Sequence, residues 1–349
     1  MRTTKNNPLA QANPFKKATR ASKKSRKNKL RRMNPLTLVI TCLLLSLGFS
    51  LALGACSSER KVSDKPVLTV TLEPLRYFTE AIAGAHFTVQ SMVPQGSSPE
   101  TYDPTPQQLV QLSQSVAYLR IGYIGFEQTW MDKLTASHPH LLVFDTSKDV
   151  AVMPDLTTHS HHSENLAHIS TESPGEVHKT PETHAHVHAH AGGIEPHIWN
   201  STRNAAVIAR NVCEALCQLD TLHQADFRQR LDSLQQVIAQ TDQAICRQLQ
   251  QADRTFLIYH PALTYFARDY GLRQLSLEEG GKEPSPAHLK TLIETCRREQ
   301  ARVIFIQQEF DTRNAELIAN ELGVSVIPIN PLSYDWPQEM LHIAQSLAH

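Results

Sequence analysis

Apolar residues recur along most of this chain with two alternating spacings. Short runs rich in β-branched and aromatic residues lie at 67–72, 87–93, 116–121 and 141–145, and again at 255–259, around Leu275, at 303–306 and at 324–327. Each predicts a strand. Between them, apolar positions three or four apart predict helices over 75–83, 106–113, 126–134, 262–270, 314–322 and 337–347. Ser285-Pro286 is a cap followed by a favoured first helical residue, and Leu289, Leu292, Ile293 and Cys296 form the apolar stripe of the helix it starts. Strands that alternate with helices predict parallel sheets covered by helices, an α/β fold. Two longer helical stretches, 201–219 and 225–251, separate the two alternating blocks. The second carries Phe227, Leu231, Leu234, Ile238, Ile245 and Leu249 at helical spacing. At 1.5 Å per residue it would run about 40 Å, the length of two domains side by side.

One segment breaks the pattern. Residues 154–193 are rich in His, Ser, Thr, Pro and Glu and poor in large apolar residues, so they cannot bury a core and are expected to form a mobile loop. Nine of the chain's eighteen histidines fall here: His159, His161, His162, His168, His178, His184, His186, His188 and His190. Imidazole is the commonest metal-binding side chain, and a short His-rich tract reads as a metal binder.

The formal net charge of zero hides an asymmetry. Of 34 Lys and Arg, 12 precede Cys56, where there is no acid; the 22 that remain face 34 acids, a balance of −12. An acidic body argues against a nucleic-acid partner. After the basic leader comes an apolar run at 36–53 and then Leu53-Gly54-Ala55-Cys56. The run resembles a secretory signal, with a retained membrane helix as the rival reading. Small residues before a cysteine resemble a bacterial lipoprotein cleavage site, so Cys56 is expected to become the lipidated first residue of the mature chain. Residues 57–65 then form a polar tether. Cys213 and Cys217, four apart on a predicted helix, are expected as small buried residues, with a disulfide to Cys246 left open in an oxidising compartment.

In open parallel sheets ligands bind beyond the carboxyl ends of the strands. Four metal-capable residues stand at such places: Glu100 in Gly96-Ser-Ser-Pro-Glu-Thr-Tyr102, His197 in Glu195-Pro-His-Ile-Trp199, His260 directly after 255–259, and Asp335 in Asn330-Pro-Leu-Ser-Tyr-Asp-Trp-Pro337. Two come from each half, which would put a shared site in a cleft between domains. Singly these residues are weak signals, since Asp335 also suits a helix cap and Glu100 a solvated loop. Their spacing matches no zinc finger. The chain has no G-x-S-x-G, no H-E-x-x-H and no Walker loop.

Together the segments resemble the zinc/manganese solute-binding lipoproteins of bacterial ABC importers. The resemblance rests on 93–102, Glu195-Pro-His-Ile-Trp199, His260-Pro-Ala-Leu-Thr-Tyr-Phe266, Glu283-Pro-Ser285, Val303-Ile-Phe-Ile-Gln-Gln-Glu309 and Ile329-Asn-Pro-Leu332, in family order over 66–349. It implies an N-terminal α/β domain over 66–222, a long rigid helix over 223–251 and a C-terminal α/β domain over 252–349, with the metal in the interdomain cleft. Residues 1–56 would be the signal. It further implies Zn2+ as cargo, with Mn2+ as the alternative, and the ligands Glu100, His197, His260 and Asp335. The expected protein is a monomer, periplasmic and lipid-anchored to a membrane, which delivers its ion to an ABC permease and catalyses nothing. Zinc-type members usually carry His where this chain has Glu100, and that departure keeps manganese open. The rival classes are a metal-buffering or adhesin lipoprotein and a metallohydrolase, in which Glu309 would be the nearest general base.

Overall fold

The computed structural model describes residues 65–155, 193–278 and 282–348. The leader, Cys56 and the nine histidines of the tract lie outside the described residues. Among the described residues no helix is long and apolar enough to cross a membrane.

The strand-like runs form two separate four-stranded parallel sheets. The first contains β1 (Val67–Val70), β2 (Thr88–Ser91), β3 (Ser115–Arg120) and β4 (Leu142–Asp145) in the order β2-β1-β3-β4. The second contains β5 (Thr255–Ile258), β6 (Arg273–Ser276), β7 (Val303–Gln307) and β8 (Ser325–Ile329) in the equivalent order β6-β5-β7-β8. The expectation of an α/β fold with parallel sheets therefore holds, and the two halves share one topology. Pro328 sits within β8, which is an edge strand, where a missing N–H costs no ladder bond on the open side.

The helices are α1 (Glu73–Ala83), α2 (Pro106–Leu112), α3 (Gly125–Ser137), α4 (Thr202–Leu219), α5 (Gln224–Gln248), α6 (Thr264–Tyr270), α7 (Pro286–Glu299), α8 (Arg313–Leu322) and α9 (Trp336–Leu347). Ser201 caps α4 through a bond from Asn204 N, and Ser285 caps α7 through one from His288 N. The long helix α5 stops three residues short of the expected end, where Leu249–Gln251 tighten into a 3-10 turn. Cys213, Cys217 and Cys296 are buried and Cys246 is exposed, all as free thiols, so the disulfide left open by the sequence does not form.

Side-chain alternation explains why the two sheets stay together. Along β5, Phe256 and Ile258 join one large core, while Leu257 and Tyr259 on the opposite face join a second. β7 divides likewise, with Val303 and Phe305 in the first core and Ile304 and Ile306 in the second. The first core also holds Leu68, Phe78, Trp199, Phe227 and Ile238, so one apolar interior runs through both halves. Each such side chain contributes about 1.5–3 kcal/mol by leaving water. The closing helix α9 returns to the first half, where Trp336 packs edge-on against Phe78 with ring centroids 5.2 Å apart. Two indoles lock this return: Trp199 Nε1 donates to Pro331 O and Trp336 Nε1 donates to Trp199 O, both at 2.8 Å.

Beneath the carboxyl ends of the first sheet lies a buried carboxylate, Glu127 of α3. It accepts from Thr71 Oγ1, from Ile121 N at 2.7 Å and from Gly122 N at 2.8 Å, with Arg120 Nε 3.5 Å away. These bonds tie the ends of β1 and β3 to the first turn of α3. Burial pushes the Glu127 pKa up to about 7, against the pull of those donors and of Arg120. The folded state thus holds this proton more tightly than the unfolded chain. The resulting stabilisation is complete below the ordinary carboxylate range and is lost as pH rises through about 7. Urea denaturation across this window should show stability falling more steeply in the native chain than in Glu127→Gln, by on the order of 3 kcal/mol. Parallel profiles for the two proteins would refute the assignment.

Candidate metal centre

The loops after β2, β5 and β7 and the segment before α4 converge on one small cavity. Its lining includes Ser98, Glu100, His197, Trp199, His260, Gln307, Glu309 and Phe310. Its open volume is about 30 Å³, room for an ion or a water rather than an organic solute. Of the four residues expected as ligands, Glu100, His197 and His260 are brought together here. Asp335 is not among the lining residues. It occupies the N-cap position of α9, and its side chain makes no capping bond there. Glu309, two residues beyond β7, lines the cavity instead.

Each histidine is braced by a carboxylate. Glu195 Oε1 accepts from His197 Nδ1 at 2.6 Å and from the His197 backbone N–H at 2.7 Å. Glu278 Oε2 lies 3.0 Å from His260 Nδ1. With both Nδ1 protons committed to carboxylates, each neutral ring presents a lone pair at Nε2. Those two atoms face one another at 3.2 Å. Two zinc-bound nitrogens at 2.0–2.1 Å in tetrahedral geometry would be about 3.3 Å apart, so the pair stands at ligand spacing.

The electrostatics favour positive charge at this point. Burial of His197 works against its charged form, but the charge and hydrogen bond of Glu195, helped by Glu100 and Glu278, outweigh it and hold the imidazole above its ordinary value. Glu195 is buried as well, yet His197 keeps its carboxyl below the usual range. Glu100 Oε1 is 4.0 Å from His197 Nε2 and, although buried, has no hydrogen-bond partner among the described residues. Its other oxygen accepts from Gly125 N at 3.1 Å, at the first turn of α3. A Cβ at Gly125 would stand 2.7 Å from Glu100 O, so only glycine permits this approach.

The scaffold around the two rings is stiff. Gln307 Nε2 donates to His260 O at 2.7 Å, and Phe310 stacks on the His260 ring with centroids 5.4 Å apart. Asn200 Nδ2 donates to Ala262 O at 2.9 Å, Tyr265 OH donates to Glu195 O at 2.8 Å, and Ser201 Oγ bonds Asp269. The His197 and His260 segments are therefore bonded directly to each other. The ends of the His-rich tract meet beside them: Asp155 N donates to Gly193 O at 2.7 Å and Glu195 N to Met153 O at 3.0 Å.

Sequence reasoning singled out neither Glu195 nor Glu278 and gave Glu309 only a catalytic role. The signal was present, because Glu278 and Glu309 each stand two residues beyond the carboxyl end of a strand.

The family described as "Zinc-uptake complex component A periplasmic" (ZnuA) matches residues 68–349. The zinc-binding lipoprotein AdcA of Streptococcus pneumoniae strain R6 is 24% identical over 295 residues, covering 83% of this chain. The chain spans about half of that relative, 54% of its length. A crystal structure of ZnuA superposes with a TM-score of 0.69 at 30% identity, covering 82% of this chain and 98% of that one. A zinc-bound ZnuA deletion mutant gives 0.68 at 31% identity, covering 82% and 97%.

If the bracing carboxylates orient the rings, Glu195→Gln and Glu278→Gln should each weaken divalent-ion binding by about 10–100-fold, the usual cost of losing such a partner. Calorimetric titration checks this. Unchanged affinity in both variants would show that the rings need no bracing.

Proposed function

Because the chain belongs to the zinc-uptake complex component A periplasmic family, we propose that it captures a divalent metal ion outside the cytoplasm and hands it to an ABC permease. The observation that carries this reading is the pair of braced imidazoles whose Nε2 atoms face each other at 3.2 Å beside the unpartnered carboxylate oxygen of Glu100. A cation between them satisfies all three groups at once. The ligands in this reading are Glu100, His197 and His260, with Glu309 as the fourth donor in preference to Asp335, since Glu309 lines the cavity and Asp335 does not. The small volume supports an ion as cargo over hydrolysis of an organic substrate. Metal entry displaces the proton that His197 otherwise favours, so binding releases protons.

Zinc is the first candidate for the ion, because two imidazoles suit it and it binds more tightly than manganese at comparable sites. The second reading is manganese, favoured by one feature: Glu100 and Glu309 offer hard oxygens. The His-rich tract, whose ends meet near His197, is proposed as a weak collector that raises the local ion concentration. Cys56 is proposed as the lipid-bearing residue that holds the protein at a membrane.

Titration of zinc into the chain lacking residues 1–56 should show one tight equivalent followed by a shallow phase. Deleting 157–191 should remove only the shallow phase. His197→Ala and His260→Ala should each abolish the tight phase, whereas Glu309→Ala should weaken it by about tenfold or more and Asp335→Ala should leave it in place. Glu100→His should move preference towards zinc over manganese. Loss of the tight phase in Asp335→Ala, with none in Glu309→Ala, would reverse the assignment of the fourth donor. A single weak phase throughout would sink the capture reading.

Cys56→Ala should leave an unprocessed precursor in cells, read by intact-mass spectrometry. Normal processing of that variant would exclude the lipid anchor.

A further inference from the structure

A second group of metal-capable side chains sits at the opposite pole of the first half. His86 lies in the turn between α1 and β2, before the amino end of a strand whose carboxyl end leads to Glu100. Asp220 and His223 lie in the turn between α4 and α5. α4 begins five residues after His197 and is 18 residues long, so this turn is about 27 Å further along the helix axis. Two turns 134 residues apart in sequence thus bring two imidazoles and a carboxylate to one place. Each of the three offers a donor atom within 4.8 Å of the others.

The local arrangement repeats the chemistry of the cleft. His86 Nε2 stands 2.8 Å from Asp226 Oδ2, and His223 Nδ1 stands 2.6 Å from Asp220 Oδ2. The two rings lie against each other with centroids 4.0 Å apart and planes 33° from parallel, and His86 meets the edge of Phe227 at 5.4 Å. Asp226 is also held by Arg230 Nε at 3.0 Å, so its charge is already balanced. Asp220 remains as the carboxylate that would neutralise a bound cation. The ring contact with Phe227, a fully buried residue of the core, anchors the His86 side. The His223 side is exposed and able to adjust.

We propose that His86, His223 and Asp220 form a second, surface site for a borderline divalent cation such as zinc, separate from the cleft and from the His-rich tract. Two nitrogens, one oxygen and solvent complete a four-coordinate shell. Asp226 orients the His86 ring, as outer carboxylates orient metal-bound histidines elsewhere. Exposure makes the site weaker than the cleft and open to exchange. The occupied site would join the α1–β2 turn to the start of the long helix α5. The alternative is a stacked, hydrogen-bonded pair of histidines that only fastens the two turns together.

Residue-resolved footprinting of the full chain separates these readings and does not depend on what fills the cleft. One equivalent of Zn2+ is added first, and labelling of each histidine by diethylpyrocarbonate is then followed by peptide mass spectrometry as Zn2+ rises further. Labelling of His86 and His223 should fall together with a common midpoint. In His223→Gln the response of His86 to zinc should vanish, and in His86→Gln that of His223 should vanish. In Asp220→Asn the midpoint should rise by at least the roughly tenfold that even an outer partner's loss costs. This third variant keeps both rings and serves where a histidine variant folds poorly. The proposal is overturned if His86 labelling ignores zinc while the tract is protected. It is equally overturned if His86 protection survives in His223→Gln or its midpoint stays put in Asp220→Asn.

Discussion

Two neutral imidazoles do not rest with their lone pairs pointed at each other. Here Glu195 and Glu278 hold the Nδ1 protons of His197 and His260, and the fold sets the opposing Nε2 atoms 3.2 Å apart. The contact is repulsive until a positive charge enters it. A proton serves, and the carboxylates of Glu195, Glu100 and Glu278 favour one on His197 against its burial; a metal ion serves as well. The rest of the molecule can be understood as the apparatus that keeps this geometry from relaxing.

That apparatus has two levels. Hydrogen bonds from Asn200 to Ala262, from Tyr265 to Glu195 and from Ser201 to Asp269 join the two histidine segments across the halves. Behind them, the shared core and the reciprocal Trp199 and Trp336 bonds hold the segment 331–336 and the last helix in place. Separation of the rings would require breaking buried bonds, each costly to leave unmade. At the other side of the cavity, Glu127 ties the ends of β1 and β3 to α3, and α3 presents Gly125 N–H to Glu100. A carboxylate that never touches the cavity thus decides where a cavity carboxylate stands.

The pairing of an imidazole with a carboxylate occurs twice more, at His86 with Asp226 and His223 with Asp220. The difference between the two places is burial. In the cleft His197 is buried and His260 partly so, and each ring is held by a carboxylate, so neither is free to turn away. At the far pole one ring is backed by Phe227 and the other faces water, so any cation held there is in exchange with solvent.

Sequence periodicity carried most of the fold. Alternation of strand and helix spacing marked the eight strands and nine helices of the described residues, the long α5 among them, because burial of one face imposes its period wherever the core lies. It erred at boundaries, as at the 3-10 turn of 249–251, since helix ends depend on caps and neighbours rather than on period. The two histidines and Glu100 were legible because Pro, Trp and strand ends surround them in recognisable motifs. What the tertiary structure alone decided is which further carboxylate lines the cavity beside them. Asp335 and Glu309 both follow strands, yet the chain after β8 runs on to begin α9 and takes Asp335 to its cap position. The chain after β7 turns at once under Phe310 and leaves Glu309 at the cavity. The same holds for His86 and His223. Their meeting depends on the length of α4 and on how it packs against α1, and no local pattern of residues records that.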